Sequence, residues 1–205
     1  ATEHGIFVSS TDNNNYTILR TDPDDLNCQD RVSGSNTWSF TTKAQYRDPA
    51  AWWHLVIAVD TTQSTDTDRL NVYVNGTHVE FSAVAYPDED VSTNMNIADA
   101  VMSIATDALS PTYFDGYLAE VVYIDGTQYA ASDFGEFDSD SPTIWKPKDP
   151  SGLTFGNNGF YLDFEASDNL GNDVNGGTDL TETNLAAVDQ ASDSPTNNFA
   201  TWNPL

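Results

Sequence analysis

The fold is decided by the stretch Trp52-Trp53-His54-Leu55-Val56-Ile57-Ala58-Val59-Asp60, in which apolar side chains occupy both alternating faces. Such a segment is typical of a strand buried between two layers, so we expect it to be central, with Trp53 in the core. The next segment, Arg69 to Val74, alternates apolar and polar residues and ends at Asn75-Gly76. Because Asn-Gly tolerates positive φ at both turn positions, it predicts a hairpin whose second arm runs from Thr77 to Phe81.

Further strands are predicted on both sides of this hairpin. The longest is Tyr117 to Ile124, which is followed by the turn pair Asp125-Gly126. Shorter candidates, separated by Asp, Asn, Pro and Gly clusters, are Gly5 to Ser10, Tyr16 to Arg20, Thr37 to Thr42, Val101 to Thr106 and Gly159 to Phe164. The only helical signal is one turn near Ala131 to Phe137. Many short strands at this spacing predict an all-β, antiparallel β-sandwich. We expect it to span residues 1–165, with a loop-rich, polar and acidic tail over 166–205.

The charge balance limits the possible partners. The 205 residues include 32 Asp and Glu against 7 Lys and Arg, a net charge of −25. Nucleic acids and anionic membranes are bound through Lys and Arg, so both are disfavoured as partners. A neutral glycan, a basic protein or a cation remains open. The alternative is that the acidic residues only keep a salt-bathed surface soluble.

The single cysteine and the absence of long apolar runs exclude further classes. Cys28 has no partner for an intrachain disulfide, and one cysteine cannot form a zinc cluster. No apolar run approaches the ~18 residues of a membrane span. The first residues also lack the basic and apolar regions of a signal peptide.

Three motifs in order resemble one family. They are Trp-x-His-Leu-Val-Ile-Ala-Val-Asp at 52–60, Leu-Asn-Val-Tyr-Val-Asn-Gly at 70–76, and Phe-Asp-Gly-Tyr-Leu-Ala-Glu-Val-Val-Tyr-Ile-Asp-Gly at 114–126. Together they resemble the concanavalin A-like lectin/glucanase superfamily in its laminin-G-like form. This resemblance implies an antiparallel jelly-roll β-sandwich that binds a ligand such as a carbohydrate.

A second set of motifs is similar to concanavalin A-like domains in structural proteins of marine tailed bacteriophages. These motifs lie at residues 46–54, 145–148, 156–164 and 193–205. The similarity implies a virion or extracellular location, and a tail fibre, head fibre or decoration module that binds a host surface glycan. The alternative it leaves open is a purely structural component that binds other capsid or tail subunits.

Compared with those phage domains, the chain lacks an opening strand pair and stops at Asn203-Pro204-Leu205, where the domains often continue. We therefore expect a fragment or a trimmed variant. Missing edge strands would leave backbone groups unpaired, and neighbouring subunits could cover them. The expectation is a homo-oligomer or a part of a larger assembly, with its interface on an edge strand or on the tail.

Hydrolysis is not expected. Glucanases that this chain resembles share a Glu-x-Asp-x-x-Glu strand motif, whose three carboxylates serve as nucleophile, helper and acid/base. The nearest match begins at Glu136 and Asp138, but Ser141 stands where the third carboxylate is needed. The match also follows the helical turn, so we expect it to lie outside a strand. His54 is expected to pack and hydrogen-bond in the sandwich.

Calcium is the one cofactor that the sequence suggests. Laminin-G-like and lectin relatives often hold it at the sandwich rim with loop Asp, Asn and carbonyl oxygens. Our preferred candidates are Asp60, Asp66 and Asp68, because the predicted strand that ends at Asp60 holds one side of the loop. Other clusters are Asp22-Asp24-Asp25, Asp88-Glu89-Asp90, and Asp168 with Asp173. For each cluster the alternative is an ordinary solvated loop.

Carbohydrate recognition requires an exposed aromatic ring that can stack on a sugar, with Asn or Asp nearby to bond its hydroxyl groups. The candidates are Trp38, Trp52 and Tyr86. For each of them the alternative is packing in the aromatic core.

Overall fold

The computed structural model describes residues 3–48, 50–107, 109 and 112–191. The strands within these residues are β1 (His4–Asp12), β2 (Asn15–Asp22), β3 (Asp25–Val32), β4 (Ser35–Gln45), β5 (Leu55–Val59), β6 (Leu70–Val74), β7 (Thr77–His78), β8 (Phe81–Ala85), β9 (Val101–Ile104), β10 (Thr106–Asp107), β11 (Thr112–Tyr113), β12 (Val121–Tyr123), β13 (Gly135–Phe137), β14 (Trp145–Pro147) and β15 (Phe160–Leu162). Helical structure there is limited to α1 (Ala131–Phe134) and 3₁₀ turns at Asp66–Asp68, Asn94–Asn96 and Ala187–Asp189. None of these helices is long and apolar enough to cross a membrane.

The chain divides into two compact units. The first comprises Ala1–Ala51 with Leu55–Gly116, and the second comprises Trp52–His54 with Tyr117–Leu205. The first unit contains a six-stranded sheet in the order β8-β4-β3-β2-β1-β9 and a three-stranded sheet in the order β5-β6-β7. All of these strand pairs are antiparallel, which confirms the predicted antiparallel β-sandwich.

Apolar side chains from both sheets form the core of the first unit. Leu19 of β2, Cys28 of β3 and Phe40 of β4 are cross-strand neighbours and therefore share one face of the six-stranded sheet. They pack in one cluster with Leu70 and Val72 of β6. Cys28 is buried in this cluster, and burial raises the pKa of its thiol, so it stays protonated.

Strand β3 is the main element that sequence analysis missed. Leu26, Cys28 and Asp30 alternate towards the interior, and Asp30 is completely buried. The segment was not recognised as a strand because Asp30, a charged residue, stands at a position where the alternation requires an apolar one. Asp30 is tolerated because its carboxylate accepts hydrogen bonds from Thr17 Oγ1 at 2.6 Å, from the Asn94 backbone N–H at 2.8 Å and from Thr37 Oγ1.

The deciding stretch forms a shorter strand than predicted, in a different position. β5 contains only Leu55–Val59, and it lies at one end of the three-stranded sheet, with β6 in the middle. The prediction of a central strand over 52–60 was therefore wrong. Trp52–His54 belong to the second unit, and the Trp53 side chain is 43% exposed instead of lying in the core. Apolar residues on both faces show that a segment packs, but they do not specify which element it packs against.

The predicted hairpin turn is confirmed. Asn75 has φ 49° and Gly76 has φ 72°, and they connect β6 to β7. The second arm is divided between the two sheets. β7 ends at His78, and β8, which begins at Phe81, pairs with β4 in the six-stranded sheet.

Replacing Gly76 by valine should destabilise the first unit by about 1 kcal/mol or more, because a β-branched residue in the left-handed region is strained. Asn75→Ala should act in the same direction with a smaller effect. Urea denaturation measures both changes. The control is Gly152→Val, at a glycine that has open space around it and lies outside the left-handed region. Unchanged stability in both turn variants would contradict the turn geometry.

The second unit contains small sheets. β12 pairs with β15, and β13 pairs with β14. The predicted strand Tyr117 to Ile124 is reduced to Val121–Tyr123, and Tyr117 is 66% exposed. The predicted helical turn is present as α1.

Part of the stretch predicted as a tail is packed within the second unit. Leu170 and Asp173 are buried, and Asp173 Oδ1 accepts a 2.9 Å hydrogen bond from the Tyr161 backbone N–H. Residues 192–205, which include the phage-like motif at 193–205, lie outside the described residues. The division of the chain at residue 165 stays a prediction.

Candidate functional site

The candidate site lies on the outer face of the six-stranded sheet, the side turned away from the core cluster. Successive side chains of a strand point to opposite faces. Leu19 of β2 points into the core, so Tyr16, Ile18 and Arg20 of the same strand lie on the outer face. The neighbouring strand β3 adds Gln29, the cross-strand partner of Ile18, to this face.

A cleft of about 240 Å³ opens on this outer face. The residues that line it are Asn13, Tyr16, Ile18, Arg20, Asp107 and Leu109. Its volume is below the roughly 300–1,000 Å³ of pockets for drug-sized ligands, so it suits one small ring. The lining combines an aromatic ring and two aliphatic side chains with an amide, a guanidinium and a carboxylate.

The two charged residues of the cleft are held in defined positions. Arg20 Nη1 lies 3.1 Å from Glu3 Oε2, and only 23% of the Arg20 side chain is exposed. Asp107 is buried, and its Oδ1 accepts a 2.8 Å hydrogen bond from the Leu109 backbone N–H. The close approach of β10 to β1 requires glycine at position 5, because a Cβ there would be 2.4 Å from the Asp107 backbone nitrogen.

Polar side chains beside the cleft are connected across strands. Gln29 Nε2 donates a 2.8 Å hydrogen bond to Tyr16 Oη, which orients the ring. Asn27 Nδ2 donates to Thr41 Oγ1 at 2.9 Å. These contacts link β2, β3 and β4, so the outer face presents amides and hydroxyl groups on rigid strands rather than on loops.

The aromatic residues proposed from sequence are not part of this cleft. Trp38 is fully buried in the core cluster, so the hypothesis that it stacks on a sugar was wrong, and core packing is its role. Tyr86 packs against the same cluster and is only partly exposed. Trp52 is partly buried in the second unit. Sequence analysis assigned Tyr16 to a strand but missed it as a site residue; the signal was its alternation with Leu19, which puts it opposite the core.

The three preferred calcium ligands do not converge. Asp60 accepts hydrogen bonds from Gln63 Nε2 at 2.6 Å and Thr62 Oγ1 at 2.7 Å, and these bonds lower the pKa of its carboxyl group. Asp66 accepts from the Thr67 backbone N–H, and Asp68 is exposed. Within the described part of the chain, no three His, Cys, Asp or Glu side chains form a group that could hold a metal ion. The set Asp60, Asp66 and Asp68 is therefore not a site of three carboxylates.

The partial glucanase motif is held in ion pairs. Glu136 Oε2 lies 3.3 Å from Lys148 Nζ, and Asp138 Oδ2 lies 2.8 Å from Lys146 Nζ. The hydrogen bond from Lys146 lowers the pKa of the Asp138 carboxyl group. The expectation that this segment lies outside a strand was wrong in part, because β13 contains Gly135–Phe137 and pairs with β14.

His54 packs against an aromatic ring, but within the second unit and not within the sandwich, where it was expected. Its ring centroid lies 5.8 Å from that of Trp145, and burial lowers the pKa of the imidazole, which favours the neutral form.

Comparison with known proteins gives one result on the family. Neither the curated proteins nor the solved structures contain a match to this chain. A laminin-G-like family profile, described as the concanavalin A-like lectin/glucanases superfamily, matches residues 1–131. The match covers most of the chain and includes the sandwich with the cleft on its outer face. The chain therefore belongs to the concanavalin A-like lectin/glucanase superfamily, in its laminin-G-like form.

Proposed function

We propose that this protein is a non-catalytic, glycan-binding module. The observation that supports this most directly is the cleft on the outer face of the six-stranded sheet, where Tyr16 lies beside Arg20, Asn13 and Asp107. Sugars present an apolar ring face and a rim of hydroxyl groups. An aromatic ring surrounded by side chains that donate and accept hydrogen bonds is complementary to both.

The strand scaffold supports the same proposal. Tyr16 is oriented by Gln29, and Asn27 is oriented by Thr41, so the polar atoms of this face are positioned before a ligand arrives. A preorganised site loses less side-chain entropy on binding, which matters for a ligand held by a few hydrogen bonds. Membership of a superfamily of lectins and glucanases is consistent with carbohydrate binding.

The finer proposal is a module on a virion surface, in a tail fibre, head fibre or decoration protein, whose ligand is a host surface glycan. The motifs similar to those of marine phage structural proteins support it. The acidic balance, with 32 acidic against 7 basic residues, also argues for a glycan over nucleic acid or membrane.

One observation favours a second candidate, a purely structural virion component that binds other subunits or further copies of itself. β8 lies at one end of the six-stranded sheet, and its residues Phe81–Ala85 include no charged side chain. Uncharged edge strands can pair with a strand of another chain.

A glycan array probed with the full-length chain tests the main proposal. We expect binding of one or a few oligosaccharides, with no release of reducing ends. Tyr16→Ala should weaken binding about tenfold or more, because ring stacking and the Gln29 contact are both lost. The matched control is Tyr117→Ala, which removes a 66% exposed tyrosine from the second unit and should change nothing.

Two outcomes decide between the alternatives. Absence of binding to any glycan would contradict the proposal and favour the structural component. Release of reducing ends would show that the protein is a hydrolase and not a binding module.

Repeating the array with EDTA tests the proposal of calcium as a cofactor, which predicts that the chelator abolishes the signal.

A further inference from the structure

The charges around the cleft indicate the class of sugar that it accepts. We propose that it binds neutral, hydroxyl-rich sugar residues and discriminates against carboxylated or sulfated ones. This inference rests on the proposed glycan-binding function and deepens it.

Among the described residues that line the cleft, Arg20 is the only Lys or Arg. An arginine in a sugar site usually suggests a sugar carboxylate, which it can hold with two parallel hydrogen bonds. Here Glu3 already makes one such contact, with its Oε2 at 3.1 Å from Arg20 Nη1. A carboxylated sugar would have to displace Glu3 or bring a second negative charge next to it.

The surrounding charges add to this repulsion. Asp107 lines the cleft itself, and Asp22 and Asp25 are cross-strand partners at the adjoining ends of β2 and β3. Arg31 is the cross-strand partner of Tyr16. It is the one Lys or Arg among the described residues that has no ion pair, and its Nε donates a 2.7 Å hydrogen bond to the Gly34 carbonyl. Of the groups named here, the cations are Arg20 and Arg31. The carboxylates are those of Glu3, Asp22, Asp25 and Asp107, so negative charges outnumber positive ones by four to two. In a chain with a net charge of −25, no long-range attraction compensates for this local excess.

The hydrogen-bonding groups complement hydroxyl groups. Arg20 and Asn27 are cross-strand partners. Arg20 Nε is a buried donor and Asn27 Oδ1 is a buried acceptor, and neither has a partner among the described residues. Both atoms are shielded from the surface, so a buried water molecule suits them. At the cleft itself, the Asn13 amide and the Tyr16 hydroxyl both donate and accept, as a sugar hydroxyl does.

The test measures the affinity of the full-length chain for matched pairs of oligosaccharides, such as a galactan and a galacturonan of equal length. The neutral member should bind about tenfold tighter or more at low salt, with a smaller difference at high salt. Glu3→Gln frees Arg20 and should raise binding of the acidic member relative to the neutral one by about threefold or more. The control, Glu80→Gln, removes the same charge from the exposed Lys43–Glu80 pair, on a different part of the sheet, and should leave this ratio unchanged.

Three contrary results are distinguishable. Tighter binding of the acidic member by the wild-type chain would overturn the neutral preference and leave the glycan-binding function intact; loss of that binding in Arg31→Gln would assign it to Arg31. An equal response of the ratio to Glu3→Gln and Glu80→Gln would overturn the role of the Glu3–Arg20 pair. Binding of neither member, together with an empty array, would overturn the proposed function itself.

Discussion

Replacing Trp38 by alanine should lower the free energy of unfolding by about 3 to 5 kcal/mol, because it removes the largest fully buried side chain of the first unit and leaves a cavity in the core. Trp38 lies in β4 and packs with Cys28, Phe40 and Leu70 in the core cluster. Those neighbours come from both sheets, so the cavity could close only if the two layers moved. Urea denaturation followed by far-UV circular dichroism measures the change.

A matched variant separates packing from ligand contact. Trp53→Ala removes the same side chain where it is 43% exposed, and it should cost less than half as much as Trp38→Ala. If Trp38→Ala kept wild-type stability but lost glycan binding, the assignment of Trp38 to the core would be wrong.

Asp30→Ala should destabilise the first unit by about 3 kcal/mol or more, because several buried donors lose their acceptor together. Asp30 Oδ1 accepts from Thr17 Oγ1, from the Asn94 backbone N–H and from Asn94 Nδ2, the last at 3.2 Å. Asn94 is itself buried, and its carbonyl accepts a 2.6 Å hydrogen bond from Ser9 Oγ. The carboxylate therefore ties the segment around Asn94 to the inner face of β3.

Two further variants make the test specific. Asp30→Asn keeps one acceptor oxygen and the side-chain volume, so it should cost about 1 to 2 kcal/mol. Asp22→Ala removes an exposed carboxylate at the end of β2 and should change stability by less than about 0.5 kcal/mol. Equal, small effects of Asp30→Ala and Asp22→Ala would show that the buried hydrogen bonds do not stabilise the fold.

Several features of the fold could be predicted from local sequence because their causes are local. The Asn75-Gly76 turn follows from the backbone conformations that these two residues tolerate, and both have positive φ. Alternation in Tyr16 to Arg20 likewise predicted a strand there, and β2 spans Asn15–Asp22. The net charge of −25 likewise does not depend on the fold, and the argument from it against nucleic-acid binding stays a prediction.

The candidate site could not be predicted, because alternation shows which residues share a face and not which face another layer covers. Tyr16 and Leu19 lie on opposite faces of β2, and only the packing of β6 against one side makes Leu19 core and Tyr16 part of the cleft. For the same reason the sequence left both sugar stacking and core packing open for Trp38, since its burial depends on residues of β6 that are distant in sequence.

The sequence alone determined the strand and turn signals, the antiparallel sandwich class and the acidic balance. These features depend on local backbone preference and on composition. Tertiary structure alone decided that β5 is an edge strand, that Asp30 is buried with its partners, and that Glu3 neutralises Arg20 in the cleft. Each of these depends on pairing between segments far apart in the chain. Such pairing is set by the free energy of burying whole faces together, which no single segment encodes.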